Sequence, residues 1–388
     1  AGGLAVVLTE VDSGRVAAMA GAVSDCSAAA LQRSAQPDTD GPMLGHVRAL
    51  HGGQPCAQLP DVRSRFLLTQ HPALWMVGPG SSLKPVAALA GVETGQITPA
   101  QDARWKSILA ESHEQAPVQA VALGAGERYL QLLGAAGFAP TPSELLWGGS
   151  PDKPTLGVRW RAATRAGHEQ LRATALPFAT MQAMRREKEA GVNVDKLHGK
   201  AQVTEYLAAR LLADSSVGGA DLRISAMGLV DVWRRLDLAQ RGAADAAATH
   251  LLERPGQPVP RLPLALGSAA GAARVIGMTT GITSTQWKGT AQGSCRVVFG
   301  SCPAAGLPDL AGKTGTADFL TGEDSPYVKD GLQIPAKLFG GVFSAQGKRW
   351  AVAVMALRNR DARGTSLDLQ SSAAAEAGLT LVREMRRP

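Results

Sequence analysis

"AKLFGGVFS" (336–344), "AQGK" (345–348) and "RWAVAVMAL" (349–357) place two apolar runs, rich in aromatic and β-branched residues, on either side of a short polar turn. Such runs favour the pleated, half-buried surface of a sheet, so the stretch reads as two strands. The other end of the chain repeats the pattern: "LAVVLTE" (4–10) and "RVAAMA" (15–20) are joined across "VDSG", where Asp12, Ser13 and Gly14 supply turn chemistry for a hairpin. A further strand-like run spans Gly312 to Ala317.

The segment between these ends is helical in pattern. A helix is expected from near Ser81 to about Thr94, with Gly95 just past its end. Others follow at roughly Pro99 to Ala110, Ala116 to Gly134, Thr174 to Ala190, Ala201 to Ala213 and Ser225 to Arg241. A last amphipathic helix, about Ser371 to Arg386, closes the chain. Strands at both ends with helices between imply an antiparallel sheet assembled from distant segments. The expected class is therefore α/β of the α+β type, the sheet flanked by helices, with a mostly helical middle region. One discontinuous unit over 1–388 is expected, with a sheet lobe of about 1–80 plus 305–388 and a helical lobe of about 81–304.

Composition bounds the function. With 388 residues, 45% of them hydrophobic and 19% charged, the chain can bury a substantial core. No window approaches the roughly 18 uncharged apolar residues of a membrane span, and the first residues lack the basic and apolar regions of a signal peptide. The net charge is +7, but the cations are dispersed and aromatics make up only 4%, which argues against nucleic acid as a partner. Gly21 to Asp61 reads as a long surface excursion. Its Cys26 and Cys56, and the later Cys295 and Cys302, are read as two disulfides of an extracytoplasmic protein. Four cysteines allow three pairings, and reduced core thiols are the alternative.

"VGPGSSLKPVAALAGVETG" (77–95) carries the chemistry. If a helix begins near Ser81, Ser81 and Lys84 share one face. Pro85 is tolerated in a first turn, whose amides have no intrahelical acceptor. Serine becomes a nucleophile when a base takes its proton, and lysine is such a base when burial or a second cation lowers its pKa. Alone, S-x-x-K equally describes a polar helix start with a solvated lysine. The second candidate is "AGKTGTADF" (311–319), where Lys313, Thr314, Gly315 and Thr316 form a strand-like K-T-G-T and the bare Gly315 lets a ligand backbone approach.

Together, in this order and about 230 residues apart, the two motifs resemble those of the penicillin-binding proteins, serine transpeptidases related to the active-site-serine β-lactamases. "LAVVLTEVDSGRVAAMAG" (4–21) is similar to that family's opening hairpin, "PGSSLKP" (79–85) to its nucleophile motif, "KGTAQG" (288–293) to the approach to its third motif, and 338–357 to the strands that follow. The resemblance implies that Ser81 is acylated by the D-Ala-D-Ala end of a peptidoglycan stem peptide, with Lys84 accepting the proton. It implies an oxyanion hole from the N–H groups of Ser81 and Thr316, and a substrate carboxylate held by Lys313, Thr314 and Thr316, with Lys313 as a fixed cation. An amine from a second stem peptide would resolve the acyl-enzyme. β-Lactams would act as covalent inhibitors, cell-envelope proteins are possible partners, and neither a metal nor an organic cofactor is implied.

The family's second motif, S-x-N, is absent: the only asparagines are Asn193 and Asn359. The stand-in is Ser112, His113 and Glu114, because "SHEQAPVQAVALGAGERYLQLLGAAGF" (112–138) is similar to the stretch beginning at that motif. Ser112 is taken as catalytic and Glu114 as substrate-binding; "DSSVG" (214–218) is the alternative segment. An asparagine amide both accepts and donates, whereas a carboxylate only accepts. A carboxylate beside Lys84 would also raise the lysine pKa. The rival readings are a D,D-carboxypeptidase or β-lactamase using water, and a non-catalytic member that binds muropeptides or partners. His46, His51 and Asp40 lack ligand spacing for a metal, and G-x-G-x-x-G and G-x-S-x-G do not occur.

Overall fold

The computed structural model describes residues 3–23, 73, 78–138, 143–144, 159–160, 163–164, 178–218, 222–251, 253, 256, 258–318, 335–357 and 372–387. Its five-stranded sheet comprises β1 (Gly3–Glu10), β2 (Val16–Val23), β3 (Ala311–Asp318), β4 (Pro335–Ala345) and β5 (Lys348–Leu357). The order is β2-β1-β5-β4-β3, and every pairing is antiparallel. Both chain ends supply it, as expected: β1 pairs with β5 from Leu4↔Ala356 to Glu10↔Trp350. The β4–β5 reversal turns on Gln346 and Gly347, with φ of 51° and 70°, the two positive values that a type I′ hairpin requires.

Successive side chains of a strand point to opposite faces, and here both faces are covered. Leu338, Val342, Ala351 and Ala353 enter one core; Phe339, Phe343, Val352 and Val354 enter a second. That double burial is why β4 and β5 are apolar at nearly every position.

The helices are α1 (Lys84–Glu93), α2 (Asp102–Glu111), α3 (Gln115–Ala120), α4 (Gly126–Ala135), α5 (Phe178–Glu189), α6 (Val194–His198), α7 (Lys200–Ser215), α8 (Ala226–Gln240), α9 (Ala269–Thr279), α10 (Gln292–Phe299) and α11 (Ala373–Met385). Three features differ from the sequence reading. The helix expected over Ala116 to Gly134 is broken into α3 and α4 by a π-helical turn, Val121–Ala125, in which Gly124 has φ 154°. The helix expected from Ser81 begins as a 3₁₀ turn, Gly80–Leu83, and becomes α-helical only at Lys84. Finally, α6, α9 and α10 were not anticipated. In α9 the glycines and alanines mute the apolar period, yet they let the helix press on α1: a Cβ on Gly271 would lie 3.0 Å from Leu89 Cδ1.

Helix α8 fixes the helical layer to the sheet. Trp233 packs where Gly340 lacks a side chain. The buried Arg234 donates from Nε to the Val11 carbonyl at 2.8 Å and from Nη2 to the Ala247 carbonyl at 2.6 Å, which ties the β1–β2 turn to the helix. Asp237 accepts from Arg349 Nη2 on β5 at 2.5 Å. On the opposite face, α11 brings Gly378 against the Phe339 ring.

Cys295 and Cys302 form the expected disulfide, joining α10 to the loop that leads into β3. The Cys26–Cys56 pairing lies outside the described residues, as does all but the start of the excursion from Gly21 to Asp61. Among the described residues no helix is long and apolar enough to cross a membrane. Opening the Cys295–Cys302 loop, with its sequence separation of 7, by the double substitution Cys295→Ser/Cys302→Ser is expected to destabilise the protein by about 2–3 kcal/mol. Urea denaturation should show a lower midpoint; an unchanged midpoint would mean that the bridge contributes nothing to stability.

Candidate active site

Residues 79–85, "PGSSLKP", build a tight turn into α1. Gly80 has φ 51°, and Lys84 N–H donates to the Ser81 carbonyl, the i to i+3 bond of a 3₁₀ turn. Side chains three apart eclipse in that geometry, more closely than in an α-helix, so Ser81 stands over Lys84. Ser81 is half-exposed while Lys84 is fully buried. Ser82 secures the turn by donating from Oγ to the Pro79 carbonyl at 2.5 Å. Pro85 falls in the first turn of α1, as expected.

The turn lies directly against β3. A Cβ on Gly80 would overlap the Thr316 carbonyl, and one on Gly315 would lie 2.9 Å from the Pro79 carbonyl and 3.2 Å from Ser82 Cβ. Only paired glycines permit two backbones to approach this closely. The 79–82 turn and the K-T-G-T strand, remote in sequence, thus pack directly against each other. Gly218, from the alternative segment 214–218, also packs against the Gly80 backbone. The adjacent Ser215 turns its hydroxyl to the Leu212 carbonyl, 2.6 Å away.

Both lysines converge on Ser112. Lys84 Nζ donates to the Ser112 carbonyl at 2.6 Å and to its Oγ at 3.1 Å. Lys313 Nζ donates to the same Oγ at 2.9 Å and to the Thr314 carbonyl at 3.0 Å. Ser112 takes a left-handed conformation, φ 64°, at the end of α2, a strain on the order of 1–3 kcal/mol. The stand-in for the second motif thus lies at the two lysines through Ser112, while Glu114 is exposed, just before α3. The neighbouring His113 pairs with Glu111 at 3.4 Å.

Burial sets the protonation of this cluster. Loss of hydration pushes the Lys84 ammonium down to about 8, with Glu114 acting in the opposite direction. The carboxylate opposes base formation as the sequence implied, but desolvation outweighs it. Lys313 is lowered well below its ordinary value by burial and then by repulsion from Lys84. The sequence reading expects a fixed cation at Lys313; burial and Lys84 both act against its charged form. A hydroxyl has one proton and two lone pairs, so Ser112 can accept from one amine while donating to the other once that amine is neutral.

On β3, Thr314 is half-exposed and Thr316 exposed. Two contacts to them were not singled out from sequence. Thr290 Oγ1 lies 2.6 Å from Thr314 Oγ1, and Thr290 N–H is held by the Ala110 carbonyl at 3.0 Å. Lys337 Nζ donates to Thr316 Oγ1 at 3.0 Å. The signal for Lys337 was a lone cation in an apolar strand, opposite Thr316 in the register.

The direction of these effects is measurable. Lysine-selective isotope labelling should reveal an amine titrating near 8, and Glu114→Gln should move its midpoint lower, because the ammonium loses a favourable neighbour. A midpoint at the ordinary value of about 10.4, or an upward movement, would refute the assignment.

No family model matches the chain, and no curated protein matches it by sequence. Solved structures do. Penicillin binding protein 3 from Mycobacterium tuberculosis, in its apo form, superposes with a TM-score of 0.54 at 15% identity, covering 100% of this chain and 74% of that one. The same protein complexed with ampicillin matches with a TM-score of 0.54 at 15% identity, over 98% of this chain and 72% of that one. A peptidoglycan glycosyltransferase from Burkholderia ambifaria matches with a TM-score of 0.50 at 12% identity, over 100% of this chain and 91% of that one. At these identities the likeness is one of architecture: the chain has the fold of penicillin-binding-protein transpeptidase domains.

Proposed function

We propose that the chain is an extracytoplasmic serine D,D-transpeptidase domain that forms an acyl-enzyme at Ser81 with D-Ala-D-Ala stem peptides and with β-lactams. The observation that carries this reading is the convergence of Lys84, three residues after Ser81, and Lys313 on the Ser112 hydroxyl, at 3.1 and 2.9 Å. A polar helix start with a solvated lysine would have no reason to bury two amines on one oxygen, since burying ionisable groups is unfavourable unless they are used or paired.

In this mechanism neutral Lys84 takes the Ser81 hydroxyl proton as Oγ attacks the carbonyl of the penultimate D-Ala. The resulting oxyanion accepts hydrogen bonds from the Ser81 and Thr316 N–H groups, a pairing supported by the close approach of Gly80 to the Thr316 backbone. Collapse breaks the C–N bond, and the leaving amine of the terminal D-Ala receives the proton from Lys84 by way of Ser112. Its carboxylate rests on the Thr314 and Thr316 hydroxyls and draws a proton onto the lysine pair, because an anion nearby stabilises the ammonium that burial disfavours. An amine from a second stem peptide then attacks the Ser81 ester, and the same groups run in reverse to release the cross-link. A penicillin, complexed by the Mycobacterium protein, would stop at the ester because its leaving amine stays tethered.

Incubation with a fluorescent penicillin tests this reading. Stable labelling that vanishes in Ser81→Ala is expected, and Ser112→Ala should slow it by about 10²-fold or more, the usual scale for a proton-transfer group. The labelling rate should rise with pH and level off above about 8, where Lys84 has lost its proton. Rapid loss of the label would point instead to a hydrolase using water, and no label on the folded protein to a non-catalytic binder.

A further inference from the structure

The corner between α5 and α6 leaves aliphatic side chains in water. Among the described residues the exposed large apolar side chains are Val192, Leu197, Leu207, Leu262 and Val297, and the first two are neighbours. Asn193 caps α6 by accepting from the Lys196 N–H at 3.1 Å. Val192 is therefore the residue before the cap and Leu197 the fourth of the helix, the two positions whose side chains meet across a helix start. A contact of that kind buries part of both partners, yet Val192 remains 44% exposed and Leu197 57%. Beneath them Val194 is held in a small core with Met184, Val203, Tyr206 and Ala209. The corner is thus anchored from within while its outer face meets water.

The charges beside this pair are unbalanced. From Arg185 to Lys200 the chain carries five cations, Arg185, Arg186, Lys188, Lys196 and Lys200, against three acids. Glu189 is engaged by Arg185 at 2.8 Å and Glu187 by His198. Lys188, Lys196 and Lys200, in contrast, are exposed and form no ion pair among the described residues. This composition is wrong for the centre of a protein–protein interface, where lysine is depleted and leucine and valine rarely carry the binding energy. It suits the boundary of a bilayer, where aliphatic groups enter the acyl layer, lysine stems lie along it and their ammonium groups meet anionic headgroups. We propose that the α5–α6 corner is a peripheral contact with an anionic lipid surface, Val192 and Leu197 dipping between headgroups inside a collar of Lys188, Lys196 and Lys200. Such a contact is independent of the chemistry at Ser81.

Sedimentation of the protein with vesicles of equimolar phosphatidylglycerol and phosphatidylcholine measures this contact. The native protein is expected to partition onto them, more weakly as salt is raised and far less onto phosphatidylcholine alone. Val192→Ser/Leu197→Ser should lower the partition coefficient by about 10-fold, the scale of withdrawing two partly inserted aliphatic side chains. Lys188→Gln/Lys196→Gln/Lys200→Gln should lower it by about 100-fold, since each lysine near an anionic surface contributes about a factor of five. Leu197→Trp is expected to tighten binding, because an indole favours the membrane interface, and a gain cannot come from unfolding. Val297→Ser removes a still more exposed aliphatic side chain from α10 and should change nothing. If the Val192 and Leu197 pair can be replaced without effect, or if Val297→Ser weakens binding as much, the contact is not at this corner and the proposal is overturned. A native protein that ignores anionic vesicles overturns it as well, and leaves a protein as the surface that the corner would meet.

Discussion

Two buried lysine amines that share one serine hydroxyl are the constraint on which the rest of the structure depends. Neither amine is comfortable as an ammonium there, because burial removes hydration and each repels the other. The strain is local, yet it requires three segments to be placed accurately: the turn at Gly80–Leu83, the end of α2 and strand β3. An error of an ångström in any of them would break the sharing of the Ser112 hydroxyl by the two amines.

The architecture supplies that accuracy through glycine and through buried polar ties. Glycines at 80 and 315 let the turn and the strand touch backbone to backbone, and Gly340 lets Trp233 seat α8 on the sheet. Arg234 and Asp237 then fix α8 to the β1–β2 turn and to β5 by hydrogen bonds. The sheet carrying Lys313 and the helix carrying Lys84 share one continuous apolar core.

The departure from the S-x-N pattern alters the groove's polarity more than its floor. Ser112 keeps the contacts that link the lysines, through its hydroxyl and its carbonyl. Where an amide would be indifferent in charge, Glu114 introduces a negative one. The consequence extends to the base, since Glu114 favours the Lys84 ammonium while desolvation disfavours it more strongly.

Much of this was legible in the residues themselves. The apolar runs at 4–20 and 336–357 determined the sheet and its assembly from both chain ends, because a strand buried on two faces leaves an unmistakable apolar record. Ser81, Lys84 and the K-T-G-T segment at 313–316 were legible as chemistry because their spacing and order are distinctive. What only the tertiary structure decided was which side chain completes the cluster, since Ser112 meets Lys84 from 28 positions away and Lys313 from 201. It also decided that Ser81 lies in a 3₁₀ turn rather than an α-helix, and that Thr290 and Lys337 reach the hydroxyls of Thr314 and Thr316. Spacing along the chain encodes periodicity and local turns; hydration and the distance between remote amines arise only when the chain has closed around them.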